Sequence, residues 1–321
     1  MVVWRVKSDE EFLIELCERV DASLFNPSPN PKVGCLIIKD GIEIGFGIHQ
    51  QAGNDHAEIM ALKMAGEKAK NATAYVTLEP CNHFGKTPPC SDALIKAGIK
   101  KVVFAISDPT PAAGCNEKLE AAGIEVLSGI AVNEAHAALA PWLVNISKRR
   151  PFIRLKYAQT SDGFIAREDG SSKWITNEVS RASVHHLRAI SDAVIVGSKT
   201  AVIDQPSLDA RIDGVVRQPV GYVIGTSDLQ NTHLKQIKSR DLNSVIETLK
   251  HDGITSVLLE GGAELAQAFL DANLVDEIWV YTSPTEFGRG MKAPDFISSG
   301  VWKAKKQQSF GEDSLTVYER E

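Results

Sequence analysis

The chain has 321 residues, 43% hydrophobic and 24% charged, which excludes a disordered or fibrous polypeptide and, at this length, a single ordinary core. Its net charge of −6 lacks the basic surplus that nucleic-acid binders need to neutralise phosphates. Five cysteines, an odd count, are no disulfide framework; no apolar run nears the ~18 residues of a membrane span and residues 1–10 carry no signal-peptide pattern, so a cytoplasmic protein is expected.

Residues 8–20 are predicted helical: Ser8 caps, Glu11 sits three later, and Phe12, Leu13, Leu16, Cys17 and Val20 share a face. Pro27, Pro29 and Pro31 break any helix and make an ordered loop. Segments 33–38 and 42–48 flank a Lys39-Asp40-Gly41 turn and read as a hairpin. Helix 56–66, strand 74–78, helix 90–97, strand 101–106 and helix 117–122 then alternate, as in a three-layer α/β domain. The basic, proline-ended stretch Lys148-Arg149-Arg150-Pro151 marks a boundary between domains 1–147 and 151–321. Beyond it, strands are expected at 152–158, 193–197, 220–224, 256–260 and 277–282, with helices at 180–190, 242–251 and 263–272.

His56-Ala57-Glu58, Pro80-Cys81 and Cys90 fall on this helix–strand–helix order. One imidazole and two thiolates make three zinc ligands and leave a tetrahedral position open for water, whose pKa zinc lowers towards ~7. Expelling ammonia also needs a carboxylate to carry protons, which is the role expected of Glu58. Positions i and i+2 point about 200° apart in mid-helix, so His56 and Glu58 share a site only at a first turn, with Asp55 the expected N-cap. Cys90 opens a helix, whose positive end favours its thiolate. The alternative is a closed structural zinc site with a fourth protein ligand, Glu58 being an ordinary helix-face charge. Cys17 and Cys35 lie on apolar faces and read as core, and Cys115 as an incidental loop thiol.

Eight residues separate Cys81 from Cys90, where nucleobase deaminases ordinarily have two. The stretch Pro80-Cys81-Asn82-His83-Phe84-Gly85-Lys86-Thr87-Pro88-Pro89-Cys90 resembles that of the bifunctional riboflavin-biosynthesis deaminase/reductase family. Pro29-Asn30-Pro31-Lys32-Val33-Gly34 is similar to that family's substrate loop, and Tyr75-Val76-Thr77-Leu78-Glu79 to the strand leading into its zinc site. The resemblance spans nearly the whole chain. It implies a cytidine-deaminase-like first domain with His56, Cys81 and Cys90 on zinc, Glu58 catalytic, and Asn30 and His83 on the substrate.

In the second half, Glu260-Gly261-Gly262-Ala263-Glu264 joins a strand to a helix, which is either an anion site or tight packing; no Gly-x-Gly-x-x-Gly follows a strand. Residues 151–158, 172–176, 186–188, 197–200 and 206–211 resemble the family's reductase domain, implying a dihydrofolate-reductase-like α/β fold. By that resemblance Ala158, Trp174, Thr200, Thr226, Gly262, Ala263 and Glu264 contact NADPH. Ser172, Arg188, Asp204, Leu208, Arg211 and Glu260 contact substrate, and the two arginines suit a phosphate as bidentate forks. The sequence departs from the family's pattern at Thr160-Ser161-Asp162-Gly163, Asp204-Gln205-Pro206 and 221–225, and is shorter over 226–242 and 108–119.

The resemblance implies zinc-dependent deamination of 2,5-diamino-6-ribosylamino-4(3H)-pyrimidinone 5′-phosphate, then NADPH-dependent reduction of its ribosyl group, in a homo-oligomer binding neither nucleic acid nor membrane. The alternatives are a deaminase with a degenerate reductase, an RNA-base deaminase, and a non-enzymatic sensor with structural zinc.

Overall fold

The computed structural model describes residues 7–84, 88–227, 229 and 233–320. It divides into two compact units, Met1–Leu143 and Val144–Glu321.

The first unit begins with α1 (Asp9–Ala22), where Ser8 and Glu11 form the reciprocal capping box read from the sequence. Strands β1 (Gly34–Lys39) and β2 (Ile42–Ile48) form the antiparallel hairpin, with Asp40 and Gly41 both at positive φ in its turn. There follow α2 (Ala57–Ala65), β3 (Thr73–Leu78), α3 (Cys90–Lys96), β4 (Lys101–Ile106), α4 (Asn116–Ala121), β5 (Glu125–Ser128) and α5 (Val132–Lys148). The sheet order is β2-β1-β3-β4-β5. Alternate side chains feed two cores, as the pleat requires. Leu36, Ile38, Tyr75 and Val103 meet α1 and α5, whereas Ile37, Val76, Val102 and Phe104 meet α2, α3 and α4. Cys17, Cys35 and Cys115 belong to these cores; Cys115 lies in the loop just before α4, as expected, but is fully buried and so is a core residue rather than an incidental thiol.

The second unit comprises β6 (Phe152–Thr160), β7 (Phe164–Ala166), α6 (Glu178–Ala189), β8 (Ala193–Gly197), α7 (Ser198–Asp204), β9 (Val220–Ile224), β10 (Lys235–Ile237), α8 (Leu242–His251), β11 (Ser256–Glu260), α9 (Ala263–Asp271), β12 (Glu277–Ser283), β13 (Met291–Lys292), β14 (Trp302–Phe310) and β15 (Asp313–Arg320). Its eight-stranded sheet runs β10-β9-β8-β11-β6-β12-β15-β14, parallel as far as β12 and antiparallel beyond. Helices α8 and α9 cover one face through Val245, Leu249 and Phe269, and α6 and α7 cover the other through Leu187 and Ala201.

The basic stretch before Pro151 belongs to the second unit. Lys148 and Arg150 both pair with the buried Asp276, Arg150 through two bonds of 2.6 and 2.7 Å. Among the described residues no helix is long and apolar enough to cross a membrane.

Candidate active sites

Helix α2 lies against β2 because β2 offers glycine there: a Cβ at Gly47 would stand 2.3 Å from the Ala57 carbonyl oxygen. This close approach sets the first turn of α2. Its N-cap is His56 itself, not Asp55 as expected, and the imidazole makes no capping bond. The ring is turned instead to the two sulfurs, while the Asp55 carboxylate pairs with Lys63. His56 Nδ1 lies 3.6 Å from Cys81 Sγ and 3.3 Å from Cys90 Sγ. The ligand atoms of His56, Cys81 and Cys90 all lie within 4.8 Å of one another, and among the described residues no fourth side chain joins the group. One nitrogen and two sulfurs with a place left over suit a catalytic rather than a closed structural zinc.

Glu58 sits one turn position inside the same helix, 3% exposed. Burial, and then the Cys81 charge, push its carboxyl above the ordinary carboxylate range. The Cys81 thiol is lowered, chiefly by the hydrogen bond from the Cys90 thiol and then by His56. Cys90 is pushed up by that same bond and by burial, the two sulfurs titrating as a pair. A soft cation displaces the remaining thiol proton. Behind the cluster, the buried Glu79 carboxylate accepts from the backbone N–H groups of Asp108, Gly114 and Cys115 and fixes the 108–115 segment.

His49 is a site residue that sequence reasoning missed. Its Nδ1 faces the Asp55 carbonyl at 3.0 Å, an acceptor, so Nδ1 carries the proton and Nε2 accepts from the Asn30 amide at 3.0 Å. The buried ring stands edge-on to His56, 5.3 Å between centroids, which places Asn30 beside the cluster. His83 is exposed, and residues 85–87 of the cysteine stretch lie outside the described residues.

In the second unit, β8 leads towards β9 on one side while β11 leads towards β12 on the other, so the crevice beyond the β8 and β11 ends is a topological switch point. Three turns crowd there. A Cβ at Gly225 would lie 2.6 Å from Ser198 Oγ, and one at Gly261 would lie 3.3 Å from Thr200 Cγ2. Backbone so bare can approach a pyrophosphate, and α9 opens at Gly262-Ala263-Glu264. Thr200 is therefore brought to that turn, and Thr226 follows Gly225 after β9; Lys199 pairs with Glu264 across the turns. Trp174 is 71% exposed, with the Arg181 guanidinium over its ring at 4.4 Å. Ala158 lies on β6, and Ser172 and Asp204 are exposed.

Arg188 departs from expectation. Its fork is closed on Glu260 by bonds of 2.6 and 3.0 Å, and Nη1 donates to the Asp209 carbonyl at 3.0 Å, so it offers no free fork to a phosphate. Burial pushes the Glu260 carboxyl up, but the Arg188 bond and the charges of Arg188 and Lys156 hold it below its usual value. Lys156, unassigned from sequence, is the register partner of Glu260 on β6, and burial lowers its pKa. Arg211 is the exposed fork, its side chain 65% exposed and its Nε 3.8 Å from the Asp209 carboxylate. Leu208 is a core residue, so only its backbone is left for a ligand.

Residues 7–106 match the family model described as the cytidine and deoxycytidylate deaminase zinc-binding region, and residues 151–316 match the RibD C-terminal domain. Among curated relatives, riboflavin biosynthesis protein RibD of Aquifex aeolicus is 38% identical, covering 91% of this chain and 93% of its own. That of Corynebacterium ammoniagenes is 46% identical, covering 82% of each. Among solved structures, Acinetobacter baumannii RibD aligns with a TM-score of 0.85 at 35% identity, over 99% of this chain and 100% of that one. A Thermotoga maritima deaminase/reductase aligns at 0.85 and 33%, over 97% and 98%.

Proposed function

Because the chain belongs to the RibD family of riboflavin-biosynthesis enzymes, which join a zinc-dependent deaminase to an NADPH-dependent reductase, we propose that it carries out both steps on one phosphorylated pyrimidine. The first is hydrolytic deamination of 2,5-diamino-6-ribosylamino-4(3H)-pyrimidinone 5′-phosphate. The second is reduction of the ribosyl group to ribityl. The first domain, 1–147, is the deaminase and the second, 151–321, the reductase. The observation that carries this reading is the three-donor cluster with a buried carboxylate beside it.

His56, Cys81 and Cys90 hold the zinc, which when bound lowers the pKa of a water at its open position. Glu58 takes one proton from the attacking water and passes it to the ring nitrogen, then takes the second from the hydroxyl now on the ring carbon and gives it to the amine, so that the C–N bond breaks, a carbonyl forms and ammonia leaves. Its raised pKa suits both directions of transfer. Asn30, oriented by His49, and His83 bind the substrate.

NADPH, when bound, supplies the hydride that ends on ribose carbon 1. The turns at Thr200, Thr226 and Gly262-Ala263-Glu264, with Ala158 and Trp174, bind it. Ser172, Asp204, the Leu208 backbone and Glu260 hold the pyrimidine sugar, Arg211 takes its phosphate, and Arg188 acts by keeping Glu260 ionised. The family resemblance also supports a cytoplasmic homo-oligomer, checked by light scattering.

The test is a coupled assay on the pyrimidinone, with and without NADPH. Ammonia release without NADPH, and NADPH oxidation following it, are expected. Metal-replete protein that releases no ammonia overturns the deaminase; ammonia without oxidation indicates a degenerate reductase.

A further inference from the structure

The segment that carries Arg211 is held by side chains from outside it. It leaves α7 through Gln205 at φ 43° and passes Leu208 at φ 57°, backbone that L side chains rarely adopt. Four successive main-chain groups then meet partners from elsewhere in the fold. The Asp209 carbonyl accepts from Arg188 Nη1 at 3.0 Å. The Ala210 N–H donates to Gln218 Oε1 at 2.8 Å, and the Ala210 carbonyl accepts from Gln218 Nε2 at 3.0 Å. The Arg211 N–H donates to His185 Nδ1 at 3.1 Å. A single amide thus mimics a neighbouring strand at Ala210, and an imidazole finishes the ladder at Arg211, whose exposed fork has the Asp209 carboxylate near it, 3.8 Å from Nε.

We infer that His185 and Gln218 are positioning residues for the reductase step, fixing the backbone from which Arg211 reaches the substrate phosphate. The inference rests on the reading of Arg211 given above. Position 185 has to accept, so the imidazole is neutral with its proton on Nε2. Burial and the nearby charges of Arg188 and Arg211 lower its pKa, outweighing the Asp209 main chain and the Glu260 charge, which raise it. His185 and Arg188 stand three residues apart on α6, so one helix face supplies both the Asp209 and the Arg211 contacts. A fork fixed to a rigid backbone loses less freedom when it closes on a phosphate, and that difference appears in substrate affinity rather than in the chemical step.

The test measures NADPH oxidation by the full-length protein on the deaminated, phosphorylated pyrimidine, with ammonia release from the first substrate as an internal control. His185→Ala and Gln218→Ala are each expected to raise the reductase KM by about tenfold with kcat within about twofold. His185→Asn, whose Oδ1 stands where Nδ1 stood, is expected to restore KM to within about twofold. In an Arg211→Ala background, His185→Ala is expected to add nothing, because both changes remove one contact. An unchanged KM in His185→Ala, an equal rise in the Arg211→Ala background, or no rescue by asparagine overturns the inference while the functional reading stands. Wild-type protein that releases ammonia yet oxidises no NADPH overturns the reductase reading and this inference together.

Discussion

Arg188 and Glu260, 72 residues apart, close a two-pronged ion pair in which each side chain is only 12% exposed. Breaking such a pair from one side leaves a buried, unpaired charge, which costs more than the pair itself contributes. Arg188→Ala should therefore destabilise the protein by about 3–5 kcal/mol in urea unfolding, and Arg188→Lys should recover only part, since an ammonium cannot span both oxygens. The depressed Glu260 pKa gives the sign with pH. Stabilisation by the pair is full above the ordinary carboxylate value of 4.5 and fades as pH falls through the lower folded value. The gap between wild type and Arg188→Ala should narrow in acid; a gap that stays constant would show that Glu260 is not held ionised by Arg188.

Glu58→Gln keeps the shape of the buried side chain but removes its capacity to carry a proton. Ammonia release should fall by about 10²- to 10⁴-fold, the usual contribution of a positioned acid–base group. Zinc content by atomic emission should be unchanged, as should NADPH oxidation with substrate that has already been deaminated. Loss of zinc in this variant would assign Glu58 to the metal instead.

Chelation should separate the two activities. The donor cluster lies wholly within the first unit, at His56, Cys81 and Cys90. Dialysis against a strong chelator should abolish ammonia release, leave reduction of the deaminated pyrimidine intact, and be reversed by added zinc. Rebinding should release protons into weakly buffered solution, because zinc binds thiolates and a thiol proton must leave when the metal enters. A reductase equally lost on chelation would refute the division of labour.

These outcomes also mark what could be read without a structure. The capping box at Ser8, the hairpin turn at Asp40-Gly41 and most alternating elements follow from local patterns, and the structure has them. Strand β14 was missed because it is an edge: Lys303, Lys305 and Lys306 cover both faces and leave no apolar alternation. Helix α5 was missed because Pro141 stands inside it. The metal donors were legible because their spacing is a chemical signature. His49 was not, because a lone histidine at a strand end has no spacing; Asn30 and the Asp55 carbonyl become its partners only in space. The same holds for Arg188, whose sequence neighbours give no hint of Glu260.

The proposed cofactor site includes bare backbone at Gly225, so a single methyl tests it. Gly225 has φ 138°, and a Cβ there would lie 2.6 Å from Ser198 Oγ and 3.1 Å from Ser198 Cβ. Gly225→Ala must therefore either push the turn after β9 away from α7 or strain it. With Thr226 displaced, the KM for NADPH should rise by about tenfold, while kcat at saturating NADPH and ammonia release change by less than about threefold. Adding Ser198→Gly removes the clash but not the unfavourable φ, so it should recover part of the affinity. An NADPH KM unchanged by Gly225→Ala would mean that the cofactor does not lie on the turn after β9. The crowding of Gly225 on Ser198 would then be packing alone.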